Sequence, residues 1–378
     1  MNILVFNESF FPLSETFVHR QVVGLSRYHH VTLLAYRYEH EDKFPTDVEK
    51  NLLARYQGLF DMLITKVLRV LTRKMHRLSF QNRLWVSDLL RNGRIDAIHT
   101  HFGTSGIELL PVAKKLGIPM VVSFHGIDAA PAMLNVPAYA CGIQEVIEYA
   151  KAVIIVSPHF VDTLGLSKFS SKVHLIPYGT DEQKFIPAET PERSKIVIQH
   201  VGRLVAKKGV PDLITAFSTL CDRHDNLELR IIGDGPEMPL CRELVDRLNL
   251  SDKVSLLGSK PHNEVNEHMK DADIYVLNSR TDARGDMEGL PNSILEAMSM
   301  EKPVVSTYHA GIPQAIQDGA NGLLVKERDN EGLAEALETL IRDRALRRRL
   351  GVAARQTIVA NFSARSMEAK IQSVFAGL

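Results

Sequence analysis

The stretch KIVIQHVGRLVAKKGVPDLITAFSTLC, residues 195–221, joins a short apolar run to a glycine-containing turn and then to a helical pattern. The run at 195–201 is rich in Val and Ile and too short for a typical helix, which favours a buried strand. Pro211 suits the first turn of a helix, because a proline there loses no hydrogen bond. Strand, turn and helix in this order form the unit from which parallel α/β sheets are built.

The same succession recurs on both sides of this stretch. We therefore predict an α/β fold with two opposed Rossmann-like, doubly wound domains and an interdomain cleft. The predicted strands are Asn2–Phe6, Val31–Ala35, Ala97–Phe102, Met120–Phe124, Ala152–Val156, Val173–Ile176, Lys195–Val201, Leu227–Ile232, Val254–Leu257, Asp273–Leu277, Pro303–Thr307 and Gly322–Val325. The predicted helices of the second half include Pro211–Cys221, Pro236–Leu248, Asn263–Ala272, Pro291–Met300, Ala334–Arg342 and Ala345–Ala360.

The segment KFIPAETPERS, residues 184–194, is the best candidate for a domain linker because it combines two prolines with mixed charge. It predicts domains at 1–188 and 189–360, with residues 361–378 forming a helix that returns to the first domain. The length of 378 residues agrees with two full-sized domains.

Composition excludes several classes of protein. Lys plus Arg and Asp plus Glu both number 45, so the formal net charge is zero. A net positive charge that would attract nucleic acid is therefore absent. Three widely spaced cysteines, Cys141, Cys221 and Cys241, encode neither a disulfide framework nor a zinc site. The chain starts with MNILVFNESFF, which reads as a buried strand and not as a signal peptide, and it has no apolar run long enough to span a bilayer. We expect a cytoplasmic protein, at most peripheral on the inner face of a membrane.

The sharpest motif is EGLPNSILEAM, residues 288–298. A helix that begins near Pro291 exposes the backbone N–H groups of Gly289 and Leu290 at its positive end, which suits an anion. Glu288 and Glu296 on the same helix can accept hydrogen bonds from two hydroxyl groups of one extended ligand. The alternative is a solvated acidic helix start with Glu296 as a surface charge.

A second motif, VGRLVAKKG at 201–209, follows the strand of the opening stretch directly. Arg203 leaves the strand end and Lys208 enters the next helix, so both cations can converge on one diphosphate. The alternative is a basic surface turn.

In combination these motifs resemble the retaining GT-B glycosyltransferases of the group 1, family four type, over essentially the whole chain. The first half is similar to the exopolysaccharide branch of the colanic acid type. The residues that carry the resemblance are Gly202-Arg203-Leu204 with Lys208-Gly209, Gly233-Asp234-Gly235-Pro236, Glu288 through Ala297, Gly311-Ile312-Pro313, Asp318-Gly319 and Asn321-Gly322-Leu323; in the first half they are Phe11-Pro12, Ser14-Glu15-Thr16-Phe17, His99 through Gly103, Ser123 through Gly126 with Asp128, and Pro177-Tyr178-Gly179 with Asp181.

The resemblance implies a role for each matching position. Arg203 and Lys208 would hold the donor diphosphate, Glu296 the ribose, and Glu288 with the backbone of Gly289, Leu290, Pro291 and Asn292 the donor sugar and its phosphate. His125 would lie near the transferred sugar, and the catalytic set would be His125, Arg203, Lys208 and Glu288. The acceptor or loop residues would be Ser14, Glu15, Thr16, His101 and Asp128. Pro12-Leu13-Ser14 replaces the Gly-Gly loop of many relatives.

The expected activity is transfer of a hexose-type sugar from a nucleotide-diphosphate sugar, with UDP as the expected nucleotide, to a saccharide or polyprenyl-diphosphate-linked acceptor. The resemblance implies retention of configuration, with the leaving diphosphate taking the acceptor proton. If the enzyme inverts instead, His125 or Asp128 would be the general base. The rivals are a nucleotide-sugar 2-epimerase of the same fold and a non-catalytic nucleotide-sugar-binding subunit.

We predict that no metal or other cofactor takes part. His99, His101 and His125 lack a fourth ligand at a recognisable spacing, which disfavours zinc. Asp271-Ala272-Asp273 spells D-x-D, but its position between a helix and a strand favours capping and packing.

The segment Thr65–Arg94 has eight basic residues against one acidic, interleaved with apolar ones. One hypothesis is a surface that docks on an anionic membrane, where a lipid-linked acceptor would lie. The other is a helix with a core face and a solvated basic face. No module for binding nucleic acid is recognised.

Overall fold

The protein is represented by a computed structural model that describes residues 1–12, 15–72, 78–188 and 194–378. Ser14, residues 73–77 of the basic segment and residues 189–193 of the linker lie outside the described residues. The chain forms two compact units, of residues 1–177 with 367–378 and of residues 178–366. We call them the first and the second unit.

The first unit contains a parallel sheet with the order β5-β3-β1-β6-β7-β8-β9. The strands of this unit are β1 (Asn2–Phe6), β2 (Ser9–Phe10), β3 (His30–Ala35), β4 (Arg37–Tyr38), β5 (Glu49–Leu52), β6 (Ala97–His101), β7 (Met120–Phe124), β8 (Ala152–Ile155) and β9 (Val173–Leu175). Strands β2 and β4 pair with each other in a separate two-stranded sheet. The helices of the unit before the boundary are α1 (Thr16–Ser26), α2 (Leu59–Thr72), α3 (Phe80–Asn92), α4 (Gly103–Leu116), α5 (Pro131–Leu134), α6 (Pro137–Tyr149) and α7 (Phe160–Thr163).

Strand order places the polar strand ends of the first unit side by side. The chain moves outward from β1 through β3 to β5 and then returns to β6 beside β1, so the order reverses between β1 and β6. Phe6 lies opposite Thr100, and His101 lies opposite Ser123. The residues after β1, β6 and β7 therefore gather at one edge of the sheet.

The second unit repeats this plan with the order β12-β11-β10-β13-β14-β15, again parallel throughout. Its reversal lies between β10 and β13. Its strands are β10 (Ile196–Val201), β11 (Leu227–Ile232), β12 (Val254–Leu256), β13 (Ile274–Leu277), β14 (Val304–Thr307) and β15 (Leu323–Val325), and its helices are α8 (Val210–Cys221), α9 (Met238–Arg247), α10 (His262–Asp271), α11 (Asn292–Ser299), α12 (Asn330–Arg342) and α13 (Arg344–Thr357). Ile198, Phe217 and Leu229 are fully buried members of the core between the sheet and its helices.

The last helix, α14 (Ala364–Ala376), follows a π-helical segment at Ile358–Phe362. Its residues from Met367 onward belong to the first unit. The Arg27 guanidinium lies 2.6 Å from the Glu368 carboxylate, and a ring nitrogen of His29 lies 2.7 Å from the Gln372 side-chain oxygen. These contacts attach the end of the chain to the helix and strand that follow β1.

The domain boundary differs from the predicted one. The division falls after Pro177, so the segment from Tyr178 to the linker belongs to the second unit and not to the first. The physical reason is hydrogen bonding: the Thr180 N–H donates to the Phe362 carbonyl, and the Ala364 N–H donates to the Thr180 carbonyl. A proline-rich composition marks exposed chain but does not reveal such partners.

The predicted strands are all present, with ends that differ by at most one residue. The two-residue strands β2 and β4, which pair with each other, were not predicted. Nor was β5, which pairs with β3 at the edge of the first sheet. Its sequence, Glu-Lys-Asn-Leu, has no apolar run, because charged residues are tolerated on an edge strand that one neighbour pairs.

Candidate active site

Two loops at the carboxyl ends of β10 and β11 pack directly on each other. The Gly202 N–H donates to the Ile232 carbonyl at 3.0 Å, and the Leu204 N–H donates to the Asp234 carbonyl at 3.0 Å. A Cβ atom at Gly233 would lie 1.8 Å from the Gly202 carbonyl oxygen, so only glycine fits there. This packing fixes the turn that carries Arg203, whose side chain is exposed at the reversal point of the sheet.

The next turn delivers two lysines to an acidic loop. Lys207 and Lys208 lie in a one-turn helix just before α8. The Lys208 Nζ atom is 3.2 Å from the Glu288 Oε1 atom, and the two side chains are only 12% and 13% exposed. The Lys207 Nζ atom is 3.0 Å from the Asp286 Oδ2 atom and 3.8 Å from Glu288 Oε1. Two cations thus meet two carboxylates, and of these four side chains Lys208 and Glu288 are the ones largely shielded from solvent.

The ionisation state of Glu288 follows from this arrangement. Burial raises the pKa of its carboxyl group, but the adjacent ammonium groups of Lys208 and Lys207 outweigh burial, and the net pKa is lowered. Glu288 is therefore ionised at neutral pH. Lys207 and Asp286 were not among the predicted site residues; the doubled lysine in VAKKG was the available sign for Lys207.

Helix α11 begins one residue later than the motif suggested. Pro291 occupies the cap position and Asn292 is the first helical residue. The Asn292 side-chain oxygen is buried and makes no hydrogen bond to any of the described residues. The first N–H groups of α11 have no intrahelical carbonyl to bind and follow Glu288 closely in the chain, as in an anion-binding helix start.

Glu296, in the second turn of α11, is only 6% exposed. The alternative that it is a surface charge is therefore wrong. Burial, with the nearby charge of Glu296 and then of Glu288, raises the pKa of the Tyr275 phenol, which donates to the Val201 carbonyl at 3.2 Å. Glu296 accordingly lies in the same buried polar region as Glu288.

The three predicted histidines of the first unit form one cluster at the edge after β6 and β7. A nitrogen of His101 lies 3.0 Å from a nitrogen of His125, and the rings of His99 and His101 have centroids 4.4 Å apart. Burial lowers the pKa values of His99 and His125 to about 3, so both are neutral at physiological pH. Phe17 and Phe102 cover the His125 ring at 4.7 and 4.8 Å.

Asp128 is a buried residue whose carboxylate joins two turns at this edge of the sheet. Its carboxylate accepts the backbone N–H groups of His125 and Gly126, both at 2.9 Å, and that of Gly103 at 3.1 Å. Burial raises its pKa, while these hydrogen bonds act in the opposite direction. Asp128 thus ties the turn that bears His125 to the start of α4.

Glu15 and Thr16 lie at the start of α1. Burial raises the pKa of the Glu15 carboxyl to about 7, and the Asn7 side-chain amide approaches it at 3.4 Å. Before them, Phe10 and Phe11 are fully buried. Phe10 stacks on Tyr38 and Phe11 contacts the same ring at a tilt, which anchors the first residues of this loop.

The D-x-D residues make structural contacts, as the packing interpretation predicted. The Asp271 carboxylate pairs with the Arg230 guanidinium at 2.6 Å. The Asp273 carboxylate accepts the Val197 N–H at 2.8 Å. Within the described parts of the chain, no group of three or more His, Cys, Asp or Glu residues is arranged to hold a metal ion. Metal independence stays a prediction.

Comparisons with known proteins agree with this geometry. Residues 14–184 match the model of Glycosyltransferase Family 4, and residues 181–357 match that of Glycosyl transferases group 1. WcaL of Escherichia coli strain K12, named as a colanic acid biosynthesis glycosyltransferase, is 33% identical over 250 residues, which cover 65% of this chain and 61% of WcaL. AmsK of Erwinia amylovora, an amylovoran biosynthesis glycosyltransferase, is 35% identical over 44% of this chain and 42% of AmsK. The chain thus aligns with less than two thirds of each relative.

A solved structure extends the fold comparison to the full length. Alr3699/HepE of Anabaena, in complex with UDP, superimposes with a TM-score of 0.79 at 17% identity, covering 100% of both chains. This likeness confirms the predicted GT-B fold, with two Rossmann-like domains. Since the two family models adjoin and together reach from residue 14 to residue 357, the chain belongs to the glycosyltransferases of the group 1 and Family 4 type.

Proposed function

We propose that this protein transfers a hexose-type sugar from a nucleotide-diphosphate sugar to a saccharide or lipid-linked saccharide acceptor, in the synthesis of exopolysaccharide or another cell-surface glycan. The observation that carries the proposal is the shielded Lys208–Glu288 pair beside the start of α11. The likeness to WcaL and AmsK, which are named for colanic acid and amylovoran synthesis, supports the glycan class, and the UDP complex of HepE supports a UDP-sugar donor.

The proposed donor contacts follow from charge. Lys208, with exposed Arg203, binds the diphosphate, and the backbone from Gly289 to Asn292 adds hydrogen-bond donors at the positive end of α11. Glu288 accepts hydroxyl groups of the sugar, and Glu296 those of the ribose. Glu288 neutralises Lys208, so the shielded ammonium group has a charged partner.

We propose retention of configuration, because the two candidate bases for an inverting mechanism are poorly suited. His125 has a pKa near 3 through burial, and such an imidazole is a weak base at neutral pH. Both oxygens of Asp128 already accept backbone N–H groups. The departing diphosphate is then the group that takes the acceptor proton, and the cations stabilise its charge.

We further propose that the protein rests peripherally on the inner face of an anionic membrane. Five apolar residues of α2 are each more than half exposed: Leu59, Phe60, Leu63, Val67 and Val70. We call them the α2 stripe. The opposite face of α2 buries Asp61 and Thr65, so the helix turns its apolar side outward. On α3, Leu84 and the chain's single tryptophan, Trp85, are also exposed.

Charge complementarity favours a lipid surface as the partner of the α2 stripe. The stripe overlaps the basic segment, which carries eight cations against one acid, and an apolar stripe with flanking cations suits an anionic interface. No helix among the described residues is long and apolar enough to cross a bilayer.

The function is tested by incubating the protein with UDP-, GDP-, ADP- and dTDP-sugars and a lipid-linked saccharide acceptor. We expect nucleotide diphosphate release that needs the acceptor, and a product whose proton coupling matches the anomer of the donor. Lys208→Met should reduce release by about a hundredfold or more, since it removes a charge that acts on the leaving group. Lys260→Met, which removes one partner of the partly exposed Lys260–Glu264 ion pair, should leave this release unchanged. A nucleotide sugar epimerised without acceptor, or bound without any turnover, would establish one of the two rivals.

A further inference from the structure

His309, in the loop after β14, is fully buried and engaged through both ring nitrogens. Its Nδ1 atom is 2.6 Å from the Glu327 Oε1 atom, and its Nε2 atom is 3.0 Å from the Glu288 backbone nitrogen. A backbone N–H can only donate, so Nε2 must be the acceptor and carries no hydrogen. The ring hydrogen is therefore on Nδ1 and is donated to Glu327.

Glu327 is itself held in place by a third loop. Its carboxylate accepts the Thr281 N–H at 2.9 Å and the Thr281 hydroxyl at 3.5 Å. Burial works to raise the Glu327 pKa, but the hydrogen bonds from His309 and Thr281 outweigh it and lower the pKa. An ionised Glu327 keeps the hydrogen of His309 on Nδ1 and so keeps Nε2 available as an acceptor.

The residue after Glu288 is fixed from the same side. The Gly311 N–H donates to the Gly289 carbonyl at 2.9 Å. A Cβ atom at position 311 would lie only 2.5 Å from that carbonyl oxygen, so the approach requires glycine. The two-residue segment Glu288–Gly289 is thus held at its N–H end by His309 and at its carbonyl end by Gly311, and the path of this segment sets the direction in which the Glu288 side chain leaves the backbone.

We propose that His309 is a positioning residue of the donor site: hydrogen-bonded by Glu327 into one neutral tautomer, it fixes the Glu288 backbone and thereby aims the Glu288 carboxylate at Lys208. The proposal rests on the proposed function in taking this site as the nucleotide-sugar site. It adds a residue that no sequence motif pointed to, and it assigns His309 no contact with the ligand.

Two variants separate the two halves of this contact. In His309→Gln, the side-chain oxygen reaches the position of Nε2, so an acceptor for the Glu288 N–H remains. In His309→Asn, the shorter amide reaches only the position of Nδ1, so a donor to Glu327 remains and the acceptor is lost. Both replace an imidazole with a primary amide, which makes each the control of the other.

The first readout is amide hydrogen exchange of Glu288 in the full-length, unliganded protein. We expect His309→Gln to keep the wild-type protection and His309→Asn to exchange about tenfold faster, as the loss of one buried hydrogen bond implies. The second readout is the KM for the nucleotide sugar that wild type uses best. We expect a rise of about tenfold in His309→Asn with a smaller change in kcat, and near wild-type values in His309→Gln.

Equal exchange and equal KM in the two variants would overturn the proposal. If both variants unfold, Thr281→Val is measured instead, because it removes only the hydroxyl contact to Glu327; unchanged exchange at Glu288 in that variant would count against the proposal, and faster exchange would support it. If wild type neither binds nor turns over any nucleotide sugar but the exchange difference persists, the proposed function fails and the positioning of Glu288 by His309 stands.

Discussion

Replacing Glu288 by glutamine is the most direct test of the charge arrangement in the second unit. Glu288 and Lys208 lie 3.2 Å apart, and with an effective dielectric constant of about 20 their attraction is about 5 kcal/mol. Part of this offsets the removal of both charges from water. Loss of one partner from a buried pair costs about 3–5 kcal/mol, since the other charge remains buried. Because the glutamine amide can still accept a hydrogen bond and Lys207 keeps Asp286, we expect about 3 kcal/mol.

The assay is urea unfolding of wild type, Glu288→Gln, Lys208→Met and the double variant. Trp85 reports on the first unit, so unfolding of the second unit is followed by circular dichroism and peptide-resolved hydrogen exchange. The double variant should lose at least about 1.5 kcal/mol less than the sum of the single variants, because neither charge is then left alone.

A matched control is available at the surface of the same unit. Lys260 and Glu264 lie 3.3 Å apart, nearly the same distance, but their side chains are 32% and 47% exposed. Glu264→Gln should therefore cost less than about 1 kcal/mol. If Glu288→Gln costs no more than Glu264→Gln, or if the single variants add, the Lys208–Glu288 pair does not stabilise the site and the electrostatic reasoning for the donor site fails.

Three further predictions use other parts of the molecule. The Glu15 pKa of about 7 lies above its unfolded value, so ionisation of this carboxyl group lowers the stability of the fold as pH rises from about 4.5 through 7. Glu15→Gln should therefore raise the melting temperature at pH 8 more than at pH 5. Equal shifts at the two pH values would refute the prediction. Trp85 fluorescence should shift to the blue with vesicles of phosphatidylglycerol but not with vesicles of phosphatidylcholine. The double variant Leu63→Gln with Val67→Gln should abolish the shift, whereas Val352→Gln in the second unit should leave it unchanged. An equal shift with both lipids would contradict the docking proposal. Sugar transfer should survive a chelator; loss of activity that manganese restores would show a metal requirement.

The fold could be predicted in detail because its determinants are local. Parallel strands buried on both faces must be short continuous apolar runs, and the predicted strands therefore match those observed. Residues at strand ends, such as Arg203 and His125, follow from the same reasoning, since parallel strands bring their carboxyl ends to one edge. The strands that were not predicted are β5, whose charged edge position carries no apolar pattern, and the two-residue strands β2 and β4.

The pairing within each site was decided by tertiary structure. Lys208 meets Glu288, and His309 meets both Glu288 and Glu327, across loops that are far apart in the chain. Nothing in the sequence fixes the tautomer of His309 or the state of Glu288, because both depend on burial and on which charge lies within a few ångströms. Likewise, composition identified a basic amphipathic segment, but only the packing of Asp61 against the protein turned the apolar side of α2 outward. Sequence alone determined which residues reach the strand ends; the three-dimensional packing determined their partners, since electrostatic and hydrogen-bond energies depend on distances that periodicity does not specify.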